Sequence, residues 1–375
     1  MISMPTSPHN PGGLTQGATR GAGAPQIFSP AFKMAKTRRR ILHNNKTLRV
    51  TDLWKDGSVG RGRSKTIYIQ PQATDTAVLI AFFNPAPFKR PLKNLLYIMK
   101  AMRDEKIPHF VAECVFFDRE PEVPGAHLVL RSKSLMFYKE NLLNLLEATV
   151  PQQYTKLVFM DGDIIFGAPD WIDQISQKLD TTDIIQPFSD ACWLYPDNTR
   201  IRCKKNSYGF AMATKAMDET TPPNKYHPGF VWAMKRSIFK AIGGLYDKAI
   251  AGNGDVMFAF SLLNGMSPAY IDRYAPCVLD TWYEYNNKVK ALKPSIGYLT
   301  MDVYHLFHGL GRNRQYNSRH EIIKKKLSQG WDKVITKNAQ GLYEFKDPEL
   351  SAALHQYFQD RAEDVPIEVA MLPPA

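Results

Sequence analysis

The sequence predicts an α/β fold in which helices flank a mixed, mostly parallel sheet. Two patterns carry this expectation. From about residue 75, short apolar runs alternate with segments of helical periodicity, and the runs are apolar at consecutive positions, as strands covered on both faces require. Ala77–Phe83 is the first run, after which Leu92, Leu95, Leu96, Met99 and Met102 recur at helical spacing. Phe110–Phe117, rich in Val and Phe, is a second strand, and apolar positions from Phe137 to Leu146 suit a helix. Leu157–Met160 is a third strand and Asp183–Gln186 a fourth; between them Trp171, Ile172, Ile175 and Leu179 mark one face of a helix. Sheets of this kind bind ligands beyond the carboxyl ends of their strands.

The totals narrow the class. With 375 residues, 44% of them hydrophobic and 11% aromatic, the chain has ample material for a packed core. No apolar run reaches the length of a membrane span, and no short apolar segment follows a basic N-terminus, so the expectation is a cytoplasmic protein. Cys114, Cys192, Cys203 and Cys277 lie far apart with no CxxC pair and read as reduced thiols. Residues 1–50 hold eight Lys/Arg and no acid; subtracting those eight from the net charge of +12 leaves +4 for the rest. The basic character is therefore mainly a property of the N-terminal segment.

That segment sets the expected organisation. Residues 1–32 contain five Pro and five Gly among small polar residues, a composition that buries too little apolar surface to fold. The expected layout is a disordered tail over 1–40, which includes the basic run Lys36–Arg40, and a lead-in over 41–74. The globular domain follows over 75–320, and a helical extension of no assigned chemical role over 321–375.

Asp161-Gly162-Asp163 directly follows the apolar strand Leu157–Met160, at the strand end where such a fold binds its ligand. Asp-Gly is also a common turn dipeptide, but a surface turn does not require the buried strand before it. Two carboxylates flanking a glycine can both address one hard cation, Mg²⁺ or Mn²⁺, that is shared with substrate phosphates, and the glycine lets the backbone approach a ligand.

Further motifs follow in order: Gly229-Phe230-Val231-Trp232-Ala233-Met234-Lys235-Arg236, then Gly252-Asn253-Gly254-Asp255, then His305-Leu306-Phe307-His308-Gly309. This succession resembles the GT-A superfamily of glycosyltransferases, in its galactosyltransferase-like and GT2-like branches, over roughly residues 75–320. The resemblance implies that Asp161 and Asp163 hold a divalent cation on the donor diphosphate. Asp163 is the more direct ligand, Asp161 touches the metal or the donor ribose, and His308 adds a ligand from a distant strand end. It implies a UDP- or GDP-sugar donor and a glycan, protein or lipid-linked acceptor.

Asp255, ahead of the apolar helix-like stretch Val256–Leu263, is implied as the general base of an inverting transfer, although a carboxylate there also suits a helix cap. The family pattern often carries a second acid beside the base, where this chain has Val256. Asn84 and Arg90, in the loop after the first strand, are implied at the nucleotide, with Lys133, Lys139 and Asn141 toward the ribose or phosphates. Arg312, Arg314 and Arg319 would clamp phosphates from a basic loop. Trp193, Trp232, Trp282 and Tyr283 can stack on sugar rings, and His305 with His320 is a weaker zinc pairing.

Two other classes compete. A nucleotidyltransferase shares the metal and diphosphate logic but favours a glycine-rich loop after the first strand, and Phe83-Asn84-Pro85-Ala86-Pro87 contains none. A basic nucleic-acid-binding protein fits the net charge, yet that charge sits in the tail and no nucleic-acid signature accompanies it.

Overall fold

The computed structural model describes residues 73–366, apart from 218–220, 222–224, 264, 267 and 317. The tail over 1–40, its basic run, most of the lead-in and residues 367–375 lie outside the described residues. The strands are β1 (Thr76–Phe83), β2 (His109–Phe116), β3 (Leu128–Ser132), β4 (Lys156–Met160), β5 (Ile164–Phe166), β6 (Ile184–Gln186), β7 (Asp190–Leu194), β8 (Ile201–Asn206), β9 (Val231–Lys235), β10 (Ile296–Tyr298), β11 (Asp302–His305), β12 (Ile335–Lys337) and β13 (Tyr343–Phe345). The helices are α1 (Lys89–Asp104), α2 (Lys139–Glu147), α3 (Trp171–Thr181), α4 (Tyr208–Ala213), α5 (Arg236–Ile242), α6 (Gly254–Leu262), α7 (Pro268–Ile271), α8 (Pro276–Leu292), α9 (Glu321–Leu327), α10 (Trp331–Val334) and α11 (Pro348–Asp360).

The expected α/β architecture is present. A seven-stranded sheet runs in the order β10-β6-β9-β4-β1-β2-β3. Its pairs are parallel except at β9, which is antiparallel to both β4 and β6. β1 lies inside the sheet between β4 and β2, and its first five residues are buried because neither face meets water. α1 buries Leu95, Ile98, Met99 and Met102, the stripe that its periodicity predicts. Trp232 and Trp282 are core residues whose indole N–H groups donate to Pro228 O and Met257 O, both at 2.8 Å, so the sequence reading that offered them to sugars is corrected. Burial of an indole requires such a partner, and these two have theirs inside the fold.

A second sheet, β5-β11-β7-β8, begins where β4 ends. β5 and β11 are antiparallel with Ile164 opposite His305, and Leu306 N donates to Asp163 O at 2.9 Å. Gly162 is needed for packing, because a Cβ there would lie 3.1 Å from Leu95 Cδ1 and 3.6 Å from Ile80 Cγ2. Its role is close approach to α1 and β1, where the sequence reading had placed a ligand. Residues 321–366 are built into the same body. Phe358 packs on Phe137 with ring centroids 5.1 Å apart, and Tyr138 Oη donates to Tyr343 O at 2.7 Å.

Arg236, the residue after β9, fastens the C-terminal end of α2. Its guanidinium is buried, pairs with the Glu147 carboxylate and donates to Glu147 O and Val150 O at 2.9 Å and to Pro151 O at 2.8 Å. The opposite end of α2 carries Lys139. Breaking a buried ion pair on one side costs about 3–5 kcal/mol. Arg236→Ala is therefore expected to lower the urea midpoint of unfolding by that equivalent, and an unchanged midpoint would contradict the assignment.

Candidate active site

The site forms at the carboxyl end of β4, where three chain segments meet. Because β4 and β9 pair with Met160 opposite Val231, the residues preceding β9 lie beside the acidic motif, and Asp161 N donates to Phe230 O at 2.9 Å. Phe230 holds φ at +74°, a left-handed conformation uncommon for a non-glycine residue. The pairing of β5 with β11 then sets Asp163 against the residues that end and follow β11. Asp163 Oδ2 lies 2.6 Å from His308 Nε2 and 3.5 Å from His305 Nε2, and the two imidazole nitrogens are 3.1 Å apart. Ligand atoms of these three residues all fall within 4.8 Å of one another. Asp163 Oδ1 is buried and accepts no hydrogen bond. A buried carboxylate oxygen without a partner is costly unless a cation completes it, so the donor set suits a divalent metal ion.

The electrostatics agree. Burial would raise the Asp163 carboxyl, but the charges of His305, His308 and Arg314 and the His308 contact outweigh it and hold the group well below the usual carboxylate range. Burial pushes His305 down to about 3 against the pull of Asp163, which keeps its imidazole neutral and able to donate a lone pair. Burial and Arg314 oppose protonation of His308, whereas Glu363 and Asp163 together raise it. Arg314 Nη2 lies 2.9 Å from both His308 Nδ1 and His308 O.

Asp161 points to a different partner. Its Oδ1 pairs with Lys139 Nζ at 2.6 Å. Burial raises the Asp161 carboxyl, Lys139 lowers it, and Asp163 raises it further. Burial disfavours the Lys139 charge, but Asp161, Asp255 and Glu140 together raise it well above a free lysine. Asp255 stands in the first turn of α6, with its Oδ1 accepting from Val256 N at 2.8 Å and its other oxygen against the backbone of Gly229. The cap position is Asn253, at φ +72°, which makes no side-chain cap bond, and Asp255 itself satisfies a first-turn N–H. Glu140, which the sequence reading missed, lies buried with its carboxylate against Gly254, where a Cβ would collide with it. The structure thus puts a second acid near Asp255, on α2 and far away in sequence.

The chain is similar to glycosyltransferases of known structure. One match is the catalytic domain of Drosophila β1,4-galactosyltransferase 7 in complex with xylobiose, at 14% identity and a TM-score of 0.29, covering 49% of this chain and 58% of that one. A mutant of that enzyme in complex with manganese, UDP-Gal and xylobiose matches at 13% identity and a TM-score of 0.28, covering 49% of this chain and 59% of the other. GalNAc-T7 with UDP, GalNAc and Mn²⁺ matches at 13% identity and a TM-score of 0.35, covering 76% of this chain and 54% of that one. This chain spans less than two thirds of each of these chains, and likeness at that level assigns no role to any of its residues. No family model and no curated protein matches the sequence. No helix among the described residues is long and apolar enough to cross a membrane.

The remaining sequence candidates divide. Arg314 joins the site, whereas Arg312 is exposed on the same 3-10 turn, Gly311–Arg314. Arg319 is buried, contacts Asn253, reaches Tyr357 Oη at 3.3 Å and lies over the Phe137 ring, so it is a core cation and the phosphate-clamp reading of it is corrected. His320 Nε2 bonds Asn253 at 2.8 Å and its ring packs on Tyr274, while His305 is taken into the Asp163 cluster; the His305–His320 zinc pairing is not formed. Asn84 is buried and braces its loop, donating to Phe88 O at 2.9 Å and to Glu122 Oε2 at 2.9 Å. Arg90 donates to Val365 O at 3.2 Å with its guanidinium over the Phe307 ring. Lys133 N donates to Glu344 at 3.0 Å, and Asn141 is buried near Asp247. Trp193 is half-buried beside His227 and Phe230, and Tyr283 is exposed at the edge of Trp282.

Glu140 gives a pH-dependent signature. Burial, opposed by Lys139 and reinforced by Asp255, pushes its carboxyl up to about 7 from 4.5. The folded chain therefore holds this proton over a range where the unfolded chain has released it. Stability falls as pH rises from about 4.5 to about 7 and is flat above, by an amount on the order of 1–3 kcal/mol. Glu140→Gln is expected to raise the melting temperature by several degrees at pH 8 and to leave it unchanged at pH 4.5; equal effects at both pH values would contradict the buried, protonated acid.

Proposed function

We propose that this chain is a metal-dependent glycosyltransferase that moves a sugar from a nucleotide-sugar donor, a UDP- or GDP-sugar, to the hydroxyl of a glycan, protein or lipid-linked acceptor. The observation that carries the reading is Asp163 at the end of β4, with one oxygen 2.6 Å from His308 and the other buried and unpartnered. Asp163, His305 and His308 would hold the cation, and two imidazoles favour Mn²⁺ over Mg²⁺, which prefers an all-oxygen shell. Bound there, the cation supplies positive charge opposite the departing nucleoside diphosphate.

The chain's own groups do the rest. Lys139 and Arg314 stand on the Asp161 and Asp163 sides of the site and present cations to the donor's phosphates. Asp161 fixes the Lys139 ammonium at 2.6 Å. Asp255, held by Val256 N and lying against the bare backbone of Gly229, would accept the proton of the attacking acceptor hydroxyl. A direct attack assisted by one base inverts the anomeric centre. Glu140, close enough to raise the charge of Lys139, supplies the second acid that position 256 lacks.

Asp163→Asn keeps the size of the side chain and removes its charge. It is expected to lower nucleoside-diphosphate release from a panel of UDP- and GDP-sugars with Mn²⁺ by on the order of 10²–10³-fold, with an unchanged circular dichroism spectrum. Wild-type turnover by this variant, or by the unaltered protein in EDTA, would sink the metal-dependent reading.

A further inference from the structure

We propose that Glu363, brought in by a C-terminal strap over residues 361–365, is the positioning carboxylate of the Asp163–His308 centre. The inference rests on the metal reading above and gives a role to a segment that the motifs leave without one. Glu363 lies 200 residues from Asp163 in sequence, and its side chain is only 8% exposed. Its Oε1 is 3.4 Å from His308 Nδ1 and 3.8 Å from Arg314 Nη2, and Arg361 pairs with the same oxygen at 2.5 Å. No hydrogen bond of good geometry satisfies that oxygen among the described residues.

The chemistry follows from the two faces of an imidazole. A neutral ring donates from one nitrogen and offers a lone pair from the other, and the partner of the first decides which is which. Arg314 Nη2, a donor only, lies 2.9 Å from Nδ1, closer than Glu363 Oε1 at 3.4 Å, so Glu363 acts behind the ring through its charge and not as the acceptor of an Nδ1–H bond. Nε2, 2.6 Å from Asp163, is the nitrogen that faces the metal pocket. Glu363 also offsets Arg314 and Arg361, two cations that would otherwise oppose a divalent ion at this spot.

The strap is held independently of His308. The Asp364 carboxylate accepts from the backbone N–H groups of Lys89 and Arg90, at 2.8 and 2.7 Å, at the start of α1. Gly309 allows it to pass close by, since a Cβ there would stand 3.1 Å from Arg361 O and 3.2 Å from Glu363 Cα. A carboxylate delivered from such an anchored segment is fixed before any ion arrives.

The test is Mn²⁺ binding to the full chain, followed by loss of the free-ion electron paramagnetic resonance signal. It compares the unaltered protein with Glu363→Ala, Glu363→Gln and Asp364→Ala. Glu363→Ala is expected to weaken Mn²⁺ binding by about 10- to 100-fold, the size typical of losing a partner behind a metal-bound histidine. Glu363→Gln, which keeps the size of the side chain but not its charge, should weaken binding to a similar extent. Asp364→Ala, which loosens the strap but leaves the Glu363 charge in the chain, should weaken Mn²⁺ binding less than Glu363→Ala does. Unchanged affinity in either Glu363 variant, or an equal loss in Asp364→Ala, would overturn the proposal and leave the metal reading standing. If Glu363→Ala does not fold by circular dichroism, Glu363→Gln alone decides. Absence of Mn²⁺ binding by the unaltered protein would remove the metal reading and this inference with it.

Discussion

The contact between Asp163 and His308, 2.6 Å long, depends on a strand register. β5 follows Asp163 immediately and pairs antiparallel with β11, so the end of β11 must lie opposite the acidic motif, and Leu306 N closes on Asp163 O at 2.9 Å. A slip of one residue would turn the side chains of β11 to the opposite face and take His305 away from Asp163. The three-residue strand β5 is therefore the element on which the geometry turns, although it buries little apolar surface of its own. It is held by its neighbours in the second sheet and by β4 just before it.

Around that contact the charges are arranged in two linked groups. On one side Asp163, two histidines, Arg314 and Glu363 form a chain of contacts that alternates acid with base. On the other, Lys139 on α2 holds Asp161 and feels Asp255 and Glu140. Glu140 and Glu363 are buried and Asp161, Asp163 and Asp255 partly so, and each lies near a cation or a histidine. Arg236, at the far end of α2, keeps that helix in place by satisfying its last carbonyl, Glu147 O, and that of Val150 just beyond it.

How much of this the sequence revealed depends on the size of the local signal. β1, β2, β4 and the helices α1, α2 and α3 are legible because buried parallel strands are continuous apolar runs and their helices carry a clear stripe. β8 is not legible, because Ile201–Asn206 is almost wholly exposed and rich in cations, and β5 and β11 are only three and four residues long. The antiparallel direction of β9 is equally silent, since periodicity records burial and not direction. In the site, Asp161 and Asp163 stand out through their place after a buried strand. His305 reads from the sequence only as a weaker zinc partner of His320, because its place beside Asp163 depends on the pairing of β5 with β11. Glu140 and Glu363 carried no signal, because each becomes significant through a contact made far along the chain: Glu140 with Gly254, and Glu363 with His308.

The most direct test of the account is a crystal structure of the full chain grown with Mn²⁺ and a nucleoside diphosphate, with the ion located by its anomalous scattering. The account predicts a single strong peak bonded to Asp163, His305 and His308, with diphosphate oxygens on the same ion and Lys139 and Arg314 toward the phosphates. An ordered diphosphate with no ion beside Asp163, or an ion held by other residues, would contradict it.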